Sequence, residues 1–185
     1  GQGEARASVL VLDSPILSNG GYERWRAHMG GAVKEIDCLL PTLGANGDGQ
    51  ALRTAIDDVI NQCVGAVRDG AAHLVLTDHR QDADNSALPM VLVAGAVHST
   101  LTRAGLRNFC SLNVRAGECF DAHYAAVLIG LGATTVNPYL AFDTVTAGRD
   151  AVGGETWARE QAGRRKTALD GGLLKILSKM GISII

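Results

Sequence analysis

The sequence predicts an α/β fold of alternating β-α units around a parallel sheet. Short apolar, β-branched runs recur between longer stretches with helical spacing, the rhythm of strands joined by covering helices. Glycine supplies 23 of the 185 residues while aromatics make up only 4%. That balance favours tight connections and small-residue packing over an aromatic-rich surface. Turn signals also fall between the periodic segments: Asp13-Ser14-Pro15, Gly30-Gly31, Gly70 and Asn137-Pro138.

Taken in order, Ser8 to Leu12 (SVLVL) is a short buried strand. Tyr22 to Met29 forms a helix stopped by Gly30-Gly31, and Val33 to Leu40 a second strand ended by Pro41. Asp48 is placed to cap a helix whose apolar stripe runs through Leu52, Ile56, Val59, Ile60, Cys63 and Val67, with Gly70 closing it. His73 to Thr77 is a third strand, and Asp78 to Asn85 a polar loop. Pro89 suits an early helical position, and Met90 to Leu101 is apolar on nearly every face, which predicts a deeply buried helix. Phe109 to Val114 is a fourth strand. Phe120 to Leu131 is a helix with a core stripe of Phe120, Tyr124, Val127, Leu128 and Leu131, and Gly130 and Gly132 supply its stop. Ala133 to Val136 is a fifth strand, halted by Asn137-Pro138.

The character changes after Ala147. Gly148 to Gly154 is small and polar, and Trp157 to Lys179 is helical and basic, with seven Lys and Arg against four Asp and Glu over residues 149–185. A boundary near Ala147 to Glu155 fits both shifts and divides the chain into residues 1–147 and 148–185.

A net charge of −2 gives no electrostatic case for nucleic acid or an anionic membrane. The longest apolar run, Leu88 to Val97, is far short of the roughly 18 residues that span a bilayer. No basic-then-apolar leader opens the chain, so a cytoplasmic protein is expected. The chain opens without Met and closes on an apolar run, so both ends read as cuts through a longer polypeptide. Cys38, Cys63, Cys110 and Cys119 have long, irregular gaps with no C-x-x-C pair. Buried reduced thiols are expected rather than a zinc or iron–sulfur site. No Walker string or G-x-G-x-x-G fingerprint occurs. His98, inside the most apolar helix, reads as a satisfied core residue.

Ligands of parallel α/β sheets collect at the carboxyl ends of the strands. The residues there are Asp78 and Arg80 after the third strand, Glu118 and His123 after the fourth, and Asn137 after the fifth. A carboxylate and an imidazole facing one pocket could do acid–base work. The structural alternative has Glu118 and Asp121 capping the following helix and His123 bonding nearby backbone.

Several strings point beyond fold class: LVLTDHR (Leu74 to Arg80), AGAVH (Ala94 to His98), GLR (Gly105 to Arg107), the Glu118 to His123 segment, GLGA (Gly130 to Ala133), NPYLAF (Asn137 to Phe142) and GLLKILSKMGIS (Gly172 to Ser183). In that order they resemble the large subunit of glutamate synthase, over its central domain and the approach to its FMN-binding synthase domain. The resemblance runs from about Ala51 onward and is weaker before it. It implies a parent oxidoreductase making glutamate from glutamine and 2-oxoglutarate. An amino-terminal cysteine would hydrolyse glutamine, ammonia would pass through an internal tunnel, and FMN in a (β/α) barrel would reduce the 2-iminoglutarate. Electrons would arrive through a 3Fe-4S cluster from an NAD(P)H-oxidising small subunit or ferredoxin. The central domain would resemble a degenerate flavin barrel linking the two active sites.

Carried over position by position, the resemblance assigns no catalytic, cofactor-binding or metal residue here. No cofactor is expected on this segment alone, and its partners would be the glutaminase and synthase domains of the same polypeptide. Two departures stand out: Thr77-Asp78-His79-Arg80 where the family often has S-D-R, and His98-Ser99-Thr100 where consecutive histidines are common. Two rivals remain from the residues alone. One is a free-standing small-ligand module with its pocket at the strand ends; the other is a scaffold associating through its basic final helix.

Overall fold

The computed structural model describes residues 12–42, 49–143 and 154–179. Helix α1 (Asn19–Met29) opens on Ser18, whose hydroxyl accepts from the Gly21 N–H at 3.1 Å, and ends on Gly30 at φ 55°. It begins ahead of the expected Tyr22 because the cap lies at Ser18.

Strand β1 (Val33–Asp37) is followed by a separate β2 (Leu39–Pro41), which corrects the single strand expected over Val33 to Leu40. The break is at Cys38, whose N–H donates to the Thr77 carbonyl while its own carbonyl accepts from Leu88. The cause lies in the polar loop. Asp82 Oδ1 accepts from the N–H groups of Asp84 and Asn85, turning the chain back so that β4 (Asn85–Ala87) pairs antiparallel with β2. Between them, α2 (Gly49–Arg68) buries Val59, Cys63 and Val67 and packs Leu52, Ile56 and Ile60 against the core, as its periodicity predicts. Gly70 follows at φ 98°. Strand β3 (His73–Thr77) has its predicted limits.

Helix α3 (Met90–Arg103) buries Met90, Val93, Ala94, Val97 and Leu101, but Leu92 is 54% exposed. The helix is therefore buried along one face, not all round. Strand β5 (Ser111–Arg115) starts later than expected because Arg107–Phe109 forms a 3-10 turn, leaving Phe109 exposed. Helix α4 (Ala122–Gly130) is capped by Asp121 and turns Ala125, Ala126 and Leu128 inward. Phe120 and Val127, expected in its core stripe, are exposed. Strand β6 (Thr135–Asn137) ends at Pro138, residues 139–143 are helical, and α5 (Gly154–Lys179) buries Leu169, Leu173 and Leu177. The packing partner of α4 is α5, and the two approach so closely that a Cβ at Gly172 would lie 2.7 Å from the Ala122 Cβ. Alanines at 122, 125 and 126 therefore share the inner face of α4 with Leu128. The strand expected at Ser8 to Leu12, the Asp48 cap and the glycine-rich stretch before Gly154 lie outside the described residues.

The main sheet is parallel in the order β1-β3-β5-β6, and Ile16 adds a parallel bridge to Val136 beyond β6. Register places Ile36, Leu74, Leu76, Leu112, Val114 and Val136 on one face. There they form the main core with α2, α3, α4 and α5. The other face carries Glu35, His73, Val75, Ser111, Asn113, Arg115, Thr135 and Asn137, and it is covered by α1 through Leu17, Tyr22 and Trp25 packed on Val75.

Handedness explains the difference. Steps from β1 through β6 run one way across the sheet, so right-handed crossovers put α2, α3 and α4 on one side. The step from Ile16 back to β1 runs the opposite way, so the same rule puts α1 on the other. The run β1-β3-β5-β6 is an arc of a (β/α) barrel, and α1 occupies what would be the barrel interior.

Candidate functional site

The polar face follows from residue alternation: Ser111, Asn113 and Arg115 share one side of β5. At the amino end His73 Nδ1 and the Ser111 hydroxyl lie 2.7 Å apart, Asn113 Nδ2 donates to Ser111 at 2.8 Å and to the Leu74 carbonyl at 2.9 Å, and Thr135 donates to Asn113 at 2.7 Å. Among the described residues no buried side-chain nitrogen or oxygen lacks a partner. Burial pushes the His73 imidazole below its ordinary pKa.

At the carboxyl end Arg115 is the centre. Its guanidinium carbon lies 4.6 Å from the Tyr22 ring centroid and 5.4 Å from that of Tyr139, and its Nε donates to Asn137 Oδ1 at 3.1 Å. Asn137 stands within β6, its side-chain amide donating to the Leu17 carbonyl and Asn19 Oδ1. Asp78 is fully buried, and its carboxylate accepts from the Gly117 N–H at 3.0 Å and from the Tyr139 hydroxyl. Burial raises the Asp78 pKa despite those two donors, and it pushes Tyr139 up to about 12. Gln81 also donates to the Tyr139 hydroxyl. Asp78, Arg115, Asn137 and Tyr139 thus form one connected strand-end cluster.

The other predicted residues lie apart from it. Arg80 is on the surface, paired with Asp37 and Glu35. Glu118 accepts from the Met90 N–H at 3.0 Å and so caps α3, while Asp121 alone caps α4. His123 is exposed on α4. No arrangement of Glu118 and His123 facing a shared pocket occurs among the described residues. His98 is half-buried and accepts from Arg107 Nε at 3.0 Å, which fits a satisfied histidine. All four cysteines are free and buried, and burial pushes Cys63 and Cys119 up to about 12.

Glu35 is another junction that sequence reading passed over. Burial would raise its carboxyl, but the Tyr22 hydroxyl, 2.6 Å away, and the charges of Arg26 and Arg80 outweigh that and hold it below the usual range. Arg115, Tyr139 and Glu35 could have been found from the polar alternation of SLNVR and VKEID and from the aromatic in NPYLAF. What could not be seen was α1 crossing to the face where they meet. Chemically the cluster is satisfied: every acid in it is held by donors, and its cation by two rings, an amide and the Glu23 carboxylate 3.9 Å away.

Similarity to known proteins agrees with this arrangement. A family model described as the glutamate synthase central domain matches residues 2–185. The chain belongs to that family. It is 43% identical over 183 residues to the glutamate synthase [NADPH] large chain of Azospirillum brasilense, covering 98% of this chain and 12% of that protein. It is 33% identical to ferredoxin-dependent glutamate synthase 1 of Arabidopsis thaliana, again over 99% of this chain and 12% of the relative. The Bacillus subtilis [NADPH] large chain is 30% identical, covering 98% and 12%. The chain therefore spans about an eighth of the length of these relatives.

Solved structures resemble it in fold alone. A mandelate oxidase variant carrying a monooxide FMN adduct matches 87% of this chain and 54% of its own, with a TM-score of 0.52 at 16% identity. A flavocytochrome b2 variant with sulfite bound matches 67% and 30%, with a TM-score of 0.55 at 17% identity. As in the expectation drawn from the sequence, this central-domain chain is α/β with a parallel sheet like that of FMN-binding barrels.

Proposed function

We propose that this chain is the later part of the central domain of a glutamate synthase large chain, with residues 148–185 the connection into the FMN-binding synthase domain. The parent would make glutamate from glutamine and 2-oxoglutarate by glutamine hydrolysis, ammonia transfer and FMN-dependent reduction. It would draw electrons through a 3Fe-4S cluster from an NAD(P)H-oxidising subunit or ferredoxin, in the cytoplasm. The observation that carries the parent enzyme is the family match over residues 2–185, in a chain that spans 12% of its large-chain relatives; the division near residue 148 rests on the shift in composition and charge along the sequence. Within it, the segment acts as a rigid spacer between the two active sites. Supporting that role, the strand-end cluster of Asp78, Arg115, Asn137 and Tyr139 ties β3, β5, β6 and α1 together and presents no free nucleophile or base. A segment that lines an ammonia route must stay uncharged where ammonia passes, because ammonium would lose heavily on desolvation.

The test is glutamine-dependent glutamate formation from 2-oxoglutarate by the natural-length polypeptide, with NADPH, NADH and reduced ferredoxin supplied in turn. Activity with one donor and bound flavin establishes the parent and names the donor. A natural-length protein without flavin or activity overturns this reading.

A further inference from the structure

One helix covers the polar face of the sheet, and the hydrogen bonds beneath it run in a single direction. The Leu74 carbonyl can only accept, so the Asn113 side-chain nitrogen faces it at 2.9 Å. Asn113 Oδ1 is left to accept from the Thr135 hydroxyl at 2.7 Å, and the second Asn113 N–H goes to the Ser111 oxygen at 2.8 Å. Ser111 then sends its own hydrogen onward to His73 Nδ1, 2.7 Å away. His73 is thus the terminal acceptor of the chain, with its proton on Nε2. The imidazole lies under α1. Its ring centre is 5.5 Å from that of Trp25, edge to face at 77°, and Trp25 packs with Met29 and Val33 at this end of the helix.

A proton added to the imidazole breaks the last link. Nδ1 then carries a hydrogen aimed at Ser111, and the Ser111 hydroxyl, already accepting from Asn113, loses the acceptor for its own hydrogen. A half-buried cation is also left beneath the Trp25 ring. The charged and titratable groups on the surrounding elements are engaged elsewhere. On the same face of the sheet, Glu35 of β1 is held by Tyr22, Arg26 and Arg80, Asp37 by Arg80, and Arg115 of β5 by two rings and Asn137. His28 is the other titrating group on this end of α1. Burial accordingly lowers the His73 pKa, with no opposing charge to raise it among the described residues.

We propose that His73 is a proton-sensitive latch for α1. Neutral, it accepts from Ser111 and closes the carboxyl-terminal half of the helix onto the sheet; protonated, it strands the Ser111 hydroxyl and lets Trp25 to Met29 lift from the polar face. With the helix lifted, the imidazole titrates in the ordinary histidine range; with the helix closed, it titrates lower. Opening therefore grows as pH falls from the ordinary range through the lowered value, and levels off below it. The latch is independent of the glutamate synthase reading, since it rests on hydrogen bonds and packing within this chain.

Hydrogen exchange read by mass spectrometry on the natural-length protein tests it, between about pH 5 and pH 7.5, above the ordinary glutamate range. Protection is referred at each pH to the same peptide unfolded. The amides of Trp25 to Met29 should lose protection several-fold toward the acid end, by no more than about tenfold per pH unit because one proton is taken up. The α2 amides from Val59 to Val67, on the other side of the sheet, should not follow. His73→Asn does not titrate and keeps an acceptor near the place of Nδ1, so its α1 profile should be flat. His28→Asn and Glu35→Gln should keep the wild-type slope. Should His73→Asn fail to fold, His73→Gln is a second acceptor that does not titrate, held to the same flat profile. A flat wild-type profile overturns the proposal without any variant. So does an unchanged slope in the His73 variant, a slope lost in His28→Asn or Glu35→Gln, or an equal loss of protection in α2.

Discussion

Arg115 joins three elements through one planar group, between the rings of Tyr22 on α1 and Tyr139 after β6 and against the Asn137 amide. Arg115→Ala should destabilise the protein by about 2 kcal/mol, and Arg115→Lys should recover only part of that, because a lysine keeps the charge but not the flat stacking surface. Urea denaturation of the three proteins checks it; full recovery by lysine would reduce the contact to simple charge. Asp78 and Glu35 make opposite predictions for pH. Folded Asp78 holds its proton to a higher pH than the unfolded chain does, because burial raises it. Its ionisation therefore costs stability as pH rises from the ordinary aspartate range through the raised folded value, and costs nothing below that range. Folded Glu35 is held low, so its contribution is complete above the ordinary glutamate range and is lost as pH falls through the folded value. Unfolding free energies between about pH 3 and pH 7 should show wild type losing ground to Asp78→Asn as pH rises and gaining ground on Glu35→Gln. Parallel curves for either pair would remove that residue's assigned titration.

At the level of elements, the pairing of α4 with α5 gives a test on adjacent positions. Gly171 has open space where a Cβ would go, while a Cβ at Gly172 would meet the Ala122 Cβ at 2.7 Å. Gly171→Ala should stabilise by about 0.5–1 kcal/mol through helix propensity. Gly172→Ala should destabilise by about 1–3 kcal/mol by forcing the helices apart. Thermal melts of the two variants read the sign directly, and stabilisation by both would mean that α4 and α5 are not in close contact. The same pairing shows what sequence could and could not supply. Strand β3 and the α2 stripe were legible because each obeys one period and is bounded by clear turn residues. The inner face of α4 was legible only in part: Leu128 and Tyr124 of the expected stripe pack on the core, but ranking by size also chose Phe120 and Val127, where a close helix neighbour demanded alanine instead. The β1–β2 break was hidden for a related reason: Cys38 is an ordinary apolar residue, and only the Asp82 turn far along the chain pulls Leu39–Pro41 out of the sheet. For the strand-end residues, Asp78 and Asn137 were found because position at a strand end is written in the sequence. Arg115 was missed because its value depends on α1 crossing to the polar face.

Over the whole chain, the question is whether residues 154–179 belong to the same cooperative unit as the sheet. Their charge differs from the rest, which suggests a boundary, yet Leu169, Leu173 and Leu177 sit in the same core as Leu74, Leu112 and Val136. Apolar burial is worth more than a surface charge contrast, since three leucines removed from water bring several kcal/mol while exposed charges contribute tenths. One unit is therefore expected. The two tryptophans are placed to decide it, with Trp25 buried on α1 over the polar face and Trp157 half-buried near the start of α5. Trp157→Phe leaves a reporter on α1, and Trp25→Phe leaves one on α5. In urea, each variant's fluorescence should change at the midpoint of its own far-ultraviolet circular dichroism, with equal slopes, as a single transition requires. If the α5 reporter changes well before the helical signal is lost, with a shallow slope, the final helix is a separate body docked on the sheet. The charge boundary would then be a true domain boundary. Coincident transitions would instead make α5 the rigid end of the central domain, able to fix the position of whatever follows it in the chain.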